Sequence, residues 1–264
     1  MNKPALKKPV VLVLAGHDPS CGAGIQADIE TMAAHGFIAT SVITSLTAQN
    51  TQSFSYHLPQ VAEDFLTQGE LVLEDIKIDA CKIGAIGSRE LIHAIHELIA
   101  DKMFPVIFDP VLQSTTGHDF SNEQMCSLIS VLLPVTTVIT PNLEEALQLT
   151  GTLTPQAAAE RLLKTGCKNI LITDAETSKT QIINHLYRED GQTQTYTYER
   201  LPGNFHGSGC TLASAISANL AKHIELTTAI EQAQEFTWNS LKYGLTLGEG
   251  QIHPNRFYNQ PEIK

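Results

Sequence analysis

The chain begins its regular structure with a continuous apolar run, Val10-Val11-Leu12-Val13-Leu14-Ala15, which Gly16 ends. A β-branched run without polar alternation predicts a strand that is buried on both faces. A glycine-rich loop at residues 16–24 follows, and apolar residues at helical spacing from Ile25 predict a helix that ends at Gly36. A buried strand that leads into a helix is the unit of a parallel sheet, so this stretch predicts an α/β fold.

The same alternation recurs along the chain. Strands are predicted at residues 41–46, 80–86, 104–108, 135–139 and 170–172, and helices at 90–100, 144–149, 210–223 and 228–244. Residues 56–75 are predicted to contain a helix, with Val61, Phe65, Leu66 and Leu71 facing inward. Two polar-alternating runs around Glu189-Asp190-Gly191 predict a hairpin. We therefore expect one domain over residues 1–264, with a mainly parallel central sheet and helices on both faces.

The composition restricts the partners and the compartment. The chain has 264 residues, of which 42% are apolar, and 28 acidic against 17 basic residues give a net charge of -11. This balance argues against nucleic acid or an anionic membrane as the main partner. The first apolar run is too short to span a membrane, and five cysteines at irregular spacing favour a reducing compartment. We expect a cytoplasmic protein.

A glycine-rich segment, Gly207-Ser208-Gly209-Cys210, precedes a helix of small residues. Glycines let backbone N–H groups turn toward one point, and the start of a helix adds partial positive charge, so the segment suits an anion such as phosphate. We call residues 207–210 the anion cradle. The alternative is a plain connection between two elements. His206, like His17, flanks a glycine loop and could contact phosphate or stabilise the loop.

Polar residues follow several predicted strands, where ligands bind in open α/β sheets. The amide of Gln49 offers a donor and an acceptor to a ligand, or it satisfies the loop backbone. Asp109 could orient magnesium or an attacking group, or cap a turn. Asn142 and Glu145 are spaced for two oxygen ligands of magnesium or for a capping box. Asp28 could accept a hydrogen bond from a ligand amine or face solvent.

Five motifs in order resemble the hydroxymethylpyrimidine/phosphomethylpyrimidine kinases of thiamine biosynthesis. They are residues 15–28, 41–51, 109–111, 140–146 and 206–212, within a resemblance that runs from Val10 to Gly250. The resemblance implies a ribokinase-like fold and a homodimer. It also implies transfer of the γ-phosphoryl group of ATP, with Mg²⁺, to 4-amino-5-hydroxymethyl-2-methylpyrimidine and then to its monophosphate.

The resemblance and the residue chemistry together assign a role to each candidate residue. The catalytic set is Cys210 as general base, with the amides of Gly207, Ser208, Gly209 and Cys210 as the anion hole. A helix start is expected to lower the pKa of the Cys210 thiol. The pyrimidine would lie against Gly16, Asp28, Gln49, Ala85 and Val111. Mg²⁺ would be held by Asp109, Asn142 and Glu145, and the nucleotide by Thr173, Asp174 and His206.

Four positions depart from the family pattern. Cys21 stands where family members often have glycine, and Ala85 where they usually have methionine, which enlarges the predicted pyrimidine pocket. The family's lysine is missing from residues 112–117, and Thr173-Asp174-Ala175-Glu176 replaces a Lys-Gly-Gly-His run. The acidic residues are expected to weaken ATP binding. Two alternatives stay open: a pyridoxal or pyridoxine kinase, and a pyrimidine-binding protein with weakened catalysis.

Overall fold

A computed structural model of the protein describes residues 7–112, 128–176 and 178–260. Within these ranges nine strands form one sheet. In chain order they are β1 Val10–His17, β2 Ile38–Gln49, β3 Phe54–Pro59, β4 Ala80–Ile83, β5 Val106–Phe108, β6 Val138–Ile139, β7 Asn169–Ile172, β8 Gln181–Arg188 and β9 Thr193–Glu199.

The sheet has the strand order β3-β2-β1-β4-β5-β6-β7-β8-β9. The six strands from β2 to β7 in this order pair in parallel, whereas β3 at one edge and β8 and β9 at the other pair antiparallel. The predicted hairpin around Glu189-Asp190-Gly191 is confirmed as the β8–β9 connection. Because the parallel strands share one direction, their carboxyl ends meet at the same edge of the sheet.

Helices cover both faces, as predicted from the alternating pattern. They are α1 Gly24–Ala34, α2 Ala62–Asp75, α3 Arg89–Ile99, α4 Leu143–Thr150, α5 Pro155–Leu163, α6 Ser208–Ala221 and α7 Leu226–Lys242. The buried run of β1 divides between the two cores: Leu12 and Leu14 pack with Phe65 of α2 on one face, and Val11 and Val13 pack with α1 on the other. This division explains why the run carries no polar alternation.

The predicted helix within residues 56–75 is confirmed as α2, but the strand that precedes it was not predicted. Residues 54–59 form the edge strand β3, which pairs antiparallel with β2, and helix α2 begins only at Ala62. Phe65 is buried as expected, but Val61 and Leu71 are each 62% exposed. An edge strand has one paired side and no full burial, so its sequence pattern is weak.

The run from Gln113 to Gly117, from which the family's lysine is missing, lies outside the described residues. None of the described helices is both long and apolar enough to cross a membrane.

Candidate active site

A cavity of about 220 Å³ opens at the carboxyl ends of the parallel strands. Thirteen of the fifteen candidate residues line it: Gly16, Gln49, Ala85, Asp109, Val111, Asn142, Glu145, Thr173, His206, Gly207, Ser208, Gly209 and Cys210. Asp28 and Asp174 do not. The cavity therefore joins loops from β1, β2, β4, β5, β6 and β7 to the start of α6, as the strand-end pattern predicts.

The anion cradle is the first turn of α6, and all four of its residues line the cavity. Gly207 has a φ of 86°. A Cβ atom on Gly207 would lie 1.9 Å from the carbonyl oxygen of Gly22, so no side chain fits there. The N–H groups of a first helical turn have no partner inside the helix. The cradle thus presents backbone donors and the positive end of a 14-residue helix to the cavity.

Cys210 is buried, and burial raises the pKa of its thiol to about 12. The negative charges of Asp109 and Asp28 act in the same direction, whereas the Lys82 ammonium and a hydrogen bond with the Gly24 backbone lower it. The expectation that the helix start lowers this pKa is therefore wrong for the folded protein. The reason is that the loss of solvation outweighs the Lys82 ammonium and the hydrogen bond with the Gly24 backbone.

Asp109 follows β5 and interacts with the side chain of Cys210. Its other oxygen, Oδ2, is buried and has no hydrogen-bond partner among the described residues. Burial raises the pKa of Asp109 to about 6, although Lys82 opposes this. A buried, unpaired carboxylate oxygen that faces a cavity suits a cation.

Asn142 and Glu145 form the capping box of α4. The Asn142 side chain accepts from the Glu145 N–H at 2.9 Å, and Glu145 Oε2 accepts from the Asn142 N–H at 2.9 Å. Burial raises the pKa of Glu145 to about 8, and the nearby charge of Asp109 adds to the shift. Capping explains the spacing of the pair, but it does not explain a buried carboxylate beside a second one.

These carboxylates fit a magnesium ion. In the described part of the chain, no three His, Cys, Asp or Glu side chains are placed to hold a metal by themselves. Magnesium usually binds one or two carboxylates together with substrate phosphates and water. Asp109, with its unpaired oxygen, and Glu145 are the donors that such an ion needs.

Gln49 ends β2, where its Nε2 donates to Thr47 Oγ1 at 2.9 Å. Its Oε1 is buried and has no partner among the residues that the structure describes. The amide therefore bonds a side chain rather than the loop backbone, and its acceptor faces a cavity that it lines. A ligand N–H would satisfy this oxygen.

Both interpretations of Asp28 are wrong, because it faces neither solvent nor the cavity. It is fully buried in α1, where the Lys82 ammonium lies 2.9 Å from its carboxylate and Ser214 donates to it at 2.6 Å. Lys82, on β4, lines the cavity and was not among the candidates. A lysine inside the buried-looking run at residues 80–86 was the signal for it, since a buried cation needs a partner.

His206 stabilises the first glycine loop. Its Nε2 lies 2.9 Å from Asp18 Oδ2, and both side chains are nearly buried. Burial opposes ionisation of Asp18, but hydrogen bonds from His206 and the Ala23 N–H hold its pKa at about 2. His206 also lines the cavity, so the loop-stabilising role is present and a ligand contact remains a prediction.

The far wall of the cavity contains Thr173, whereas Asp174 turns away from it. Asp174 has a φ of 49°, and its carboxylate accepts from Arg200 at 2.6 Å. Glu176 pairs with His185 at 2.9 Å. The two acids that replace the family's Lys-Gly-Gly-His run are thus partnered by side chains from the antiparallel edge of the sheet.

Comparison with known proteins gives a consistent family. The sequence model described as phosphomethylpyrimidine kinase matches residues 18–255. Hydroxymethylpyrimidine/phosphomethylpyrimidine kinase of Haemophilus influenzae is 36% identical over 252 residues, which cover 91% of this chain and 93% of that protein. A thiamine biosynthetic bifunctional enzyme of Arabidopsis thaliana is 34% identical over 263 residues, which cover 94% of this chain and 50% of that enzyme.

A solved structure shows the same fold. Pyridoxal kinase from Staphylococcus aureus, in complex with AMP-PCP and pyridoxal, superposes with a TM-score of 0.86 and 27% sequence identity. The match covers 97% of this chain and 96% of the other.

Proposed function

The chain belongs to the phosphomethylpyrimidine kinase family, and we propose how its cavity performs the two phosphorylations of that family. The protein is a ribokinase-like phosphotransferase of thiamine biosynthesis. In our proposal, ATP phosphorylates 4-amino-5-hydroxymethyl-2-methylpyrimidine and then its monophosphate. The observation that carries it is that the anion cradle, Cys210 and the unpartnered acceptor of Gln49 face one cavity.

The acceptor ring binds at the Gln49 end of the cavity. Gln49 Oε1 accepts from the exocyclic amine, which satisfies a buried oxygen that has no other partner among the described residues. Gly16 also lines the cavity, and a side chain there would be crowded, because its Cβ atom would lie 3.0 Å from Ser45 Oγ. Val111 and Ala85 complete the apolar lining. The hydroxymethyl group then points toward Cys210.

The phosphoryl group is held at the end of the cavity that lies opposite Gln49. The amides of the anion cradle bind the transferred phosphoryl oxygens, and Asp109 and Glu145 would hold Mg²⁺. When bound, Mg²⁺ neutralises the negative charge of the phosphates. The chain itself contributes position and fixed donors, which is most of what phosphoryl transfer requires from a protein.

Cys210 accepts the proton of the hydroxymethyl group in the first step. Its thiol is protonated in the free protein, because its pKa is about 12 even with the Lys82 ammonium opposing the shift. The thiol proton therefore leaves to solvent before the thiolate acts as the base. Lys82 supplies a fixed cation below the thiol. In the second step the acceptor is an anionic phosphate that needs no base. The two steps therefore place different demands on Cys210.

ATP is the phosphoryl donor, as binding of AMP-PCP by the pyridoxal kinase neighbour supports. Thr173 and His206 line the donor side of the cavity. Asp174 does not line the cavity, and its carboxylate pairs with Arg200. It therefore affects the bound nucleotide only through its negative charge.

A pyridoxal kinase is the second candidate. Ala85 leaves space where the family usually has methionine, and the superposed neighbour binds pyridoxal. Steady-state kinetics with both acceptors decide between them: the higher kcat/KM identifies the main substrate. A pyrimidine-binding protein with weakened catalysis is less well supported, because Cys210, Asp109 and Glu145 all line the cavity.

The single domain over residues 1–264, the homodimer and the cytoplasmic location stay predictions. Exposed apolar side chains of the edge strand β3, Tyr56 and Leu58, support the homodimer.

The central test is direct. The protein is incubated with ATP, Mg²⁺ and the hydroxymethylpyrimidine, and the mono- and diphosphate products are separated and identified by mass. We expect the monophosphate first and the diphosphate later. Binding of the pyrimidine without ATP turnover would refute the proposal, and a Mg²⁺-free reaction is the control.

A further inference from the structure

Arg256 is the largest side chain that the fold buries completely, and it lies one residue beyond the region that the family model matches. Its segment is fixed by backbone hydrogen bonds: the Ile252 N–H donates to Asn204, the His206 N–H donates to Ile252, and the Asn255 N–H donates to Ser240. The guanidinium is therefore carried to a defined point behind the cavity.

The guanidinium joins three separate parts of the site. Nε donates to Thr211 Oγ1 of α6 at 3.1 Å. Nη2 donates to the carbonyl oxygen of Gly22, and Nη1 lies 3.4 Å from the carbonyl oxygen of Cys21. Nη1 also donates to Glu30 of α1 at 2.9 Å. One rigid fork thus contacts the loop between β1 and α1, helix α1 and the first turn of α6.

The carbonyls of Cys21 and Gly22 belong to a loop whose backbone conformation is strained. We call residues 18–24 the acceptor loop. Cys21 has a φ of 63°, which costs free energy for a residue with a side chain. The Gly22 carbonyl abuts Gly207, where an added Cβ atom would lie 1.9 Å away. The carbonyl that Arg256 binds is therefore part of the contact between the acceptor loop and the anion cradle.

A buried cation of this kind is not explained by stability alone. Burying a charge costs free energy, and replacement of buried ion pairs by apolar side chains is often neutral or stabilising. Because Glu30 is 40% exposed, its carboxylate offsets only part of the free energy that burial of the Arg256 charge costs. The hydrogen bonds to two carbonyls of a strained loop indicate a role in placing that loop.

We propose that Arg256 is a positioning residue that fixes the acceptor loop against the anion cradle. It acts through the carbonyls of Cys21 and Gly22 and through Thr211, and it touches no substrate. The inference rests on the proposed function for the loop and the cradle. It adds to that function that one side chain, Arg256, sets the distance between the acceptor loop and the anion cradle.

The main test is Arg256→Met, which keeps much of the volume and removes the donors. We expect kcat/KM for the hydroxymethylpyrimidine to fall about 100-fold, with a raised acceptor KM, because small misplacement of reacting groups has effects of this size. The KM for ATP should change less than about twofold, since the cradle stays on α6. A folded Arg256→Met protein with wild-type acceptor kinetics would overturn the inference.

Three further variants separate positioning from folding. Arg256→Lys should recover only part of the loss, because lysine lacks the planar fork. Arg161→Met is the matched control, because it makes the same change at an exposed position of α5, and it should change kcat/KM less than about twofold. Cys21→Gly in the Arg256→Met background should recover about tenfold, because glycine adopts positive φ without restraint. Equal loss in Arg256→Met with and without Cys21→Gly contradicts the proposal.

Hydrogen exchange of the acceptor loop tests the inference without any substrate. Arg256→Met should speed exchange of the amides of Cys21 and Ala23, whose N–H groups bond Asp18 in the wild-type loop. Unchanged exchange would overturn the inference. A wild-type protein that does not phosphorylate the pyrimidine would instead refute the proposed function and leave this measurement valid.

Discussion

The acceptor end and the nucleotide end of the cavity are built in different ways. At the acceptor end, the charged groups are buried and paired: the Lys82 and Asp28 side chains are both 0% exposed. At the nucleotide end, the Asp174 and Glu176 side chains are 43% and 56% exposed. A buried ion pair fixes the positions of its two groups, whereas an exposed pair is weak and can be substituted at little cost. The departures from the family pattern at residues 173–176 lie at the end of the cavity with exposed pairs.

The largest expected effect breaks the acceptor end. Cys210→Ala should lower the rate of the first phosphorylation about 10³-fold, and the second less than about tenfold, because only the first acceptor needs a base. Single-turnover assays with each acceptor measure the two rates. Cys167→Ala is the control, a buried cysteine outside the cavity, and should leave the ratio of the two rates unchanged. Equal losses in both steps would remove the general-base role.

The next effect lies between the two ends, at Glu145. Its pKa is raised to about 8 in the folded protein from an ordinary 4.5. The protonated form is the one that the fold favours, so its contribution to stability is full below pH 4.5 and is lost as pH rises through about 8. Glu145→Gln should therefore raise the melting temperature at pH 8.5 by a few degrees and leave it unchanged at pH 4.

The same substitution should lower kcat about 100-fold with Mg²⁺, because it removes an anionic ligand at the phosphates. Thermal melts without Mg²⁺ across the pH range, together with kcat, test both statements. A variant that is less stable at pH 8.5 would show that capping, rather than cation binding, explains Glu145.

A smaller effect sharpens the acceptor side. Gln49→Ala should raise the KM for the pyrimidine about tenfold through the loss of one hydrogen bond, while the KM for ATP stays constant. Gln52→Ala is the matched control, because Gln52 is the same residue type on the exposed loop that follows. A rise of the same size in the KM for ATP would contradict the proposal that Gln49 lies at the acceptor end of the cavity.

The smallest effect concerns the nucleotide end. Asp174→Asn should lower the KM for ATP about threefold, since it removes a negative charge and still allows a hydrogen bond to Arg200. Asp190→Asn, in an exposed pair with Arg188 on the hairpin, is the control. A KM for ATP that rises in Asp174→Asn would mean that Asp174 orders the wall rather than repels phosphate.

Much of the fold follows from the sequence because buried parallel strands have a strong pattern. The run at Val10–His17 is apolar on both faces, and its loop and helix follow at once. The edge strand at Phe54–Pro59 was missed because its formation depends on pairing with β2, which local periodicity does not report.

The site divides in the same way. Residues in the strand-end motifs, such as Gln49 and Asp109, were predicted because topology brings strand ends together. Asp28 was misplaced and Lys82 missed because their pairing joins residues 54 positions apart. Arg256 lies 234 positions from the Gly22 carbonyl that it binds. The pKa of Cys210 depends on the loops that cover it, so a helix start alone gave the wrong direction.

The buried pair of Lys82 and Asp28 has a consequence for how this sequence can diverge. Loss of either partner leaves an uncompensated charge in a fully buried place, which is strongly destabilising. An exchange of both for apolar residues keeps the core intact but removes the cation beneath Cys210. We therefore expect positions 28 and 82 to be substituted together or to stay unchanged. A related protein in which both have become apolar is expected to have lost the first phosphorylation.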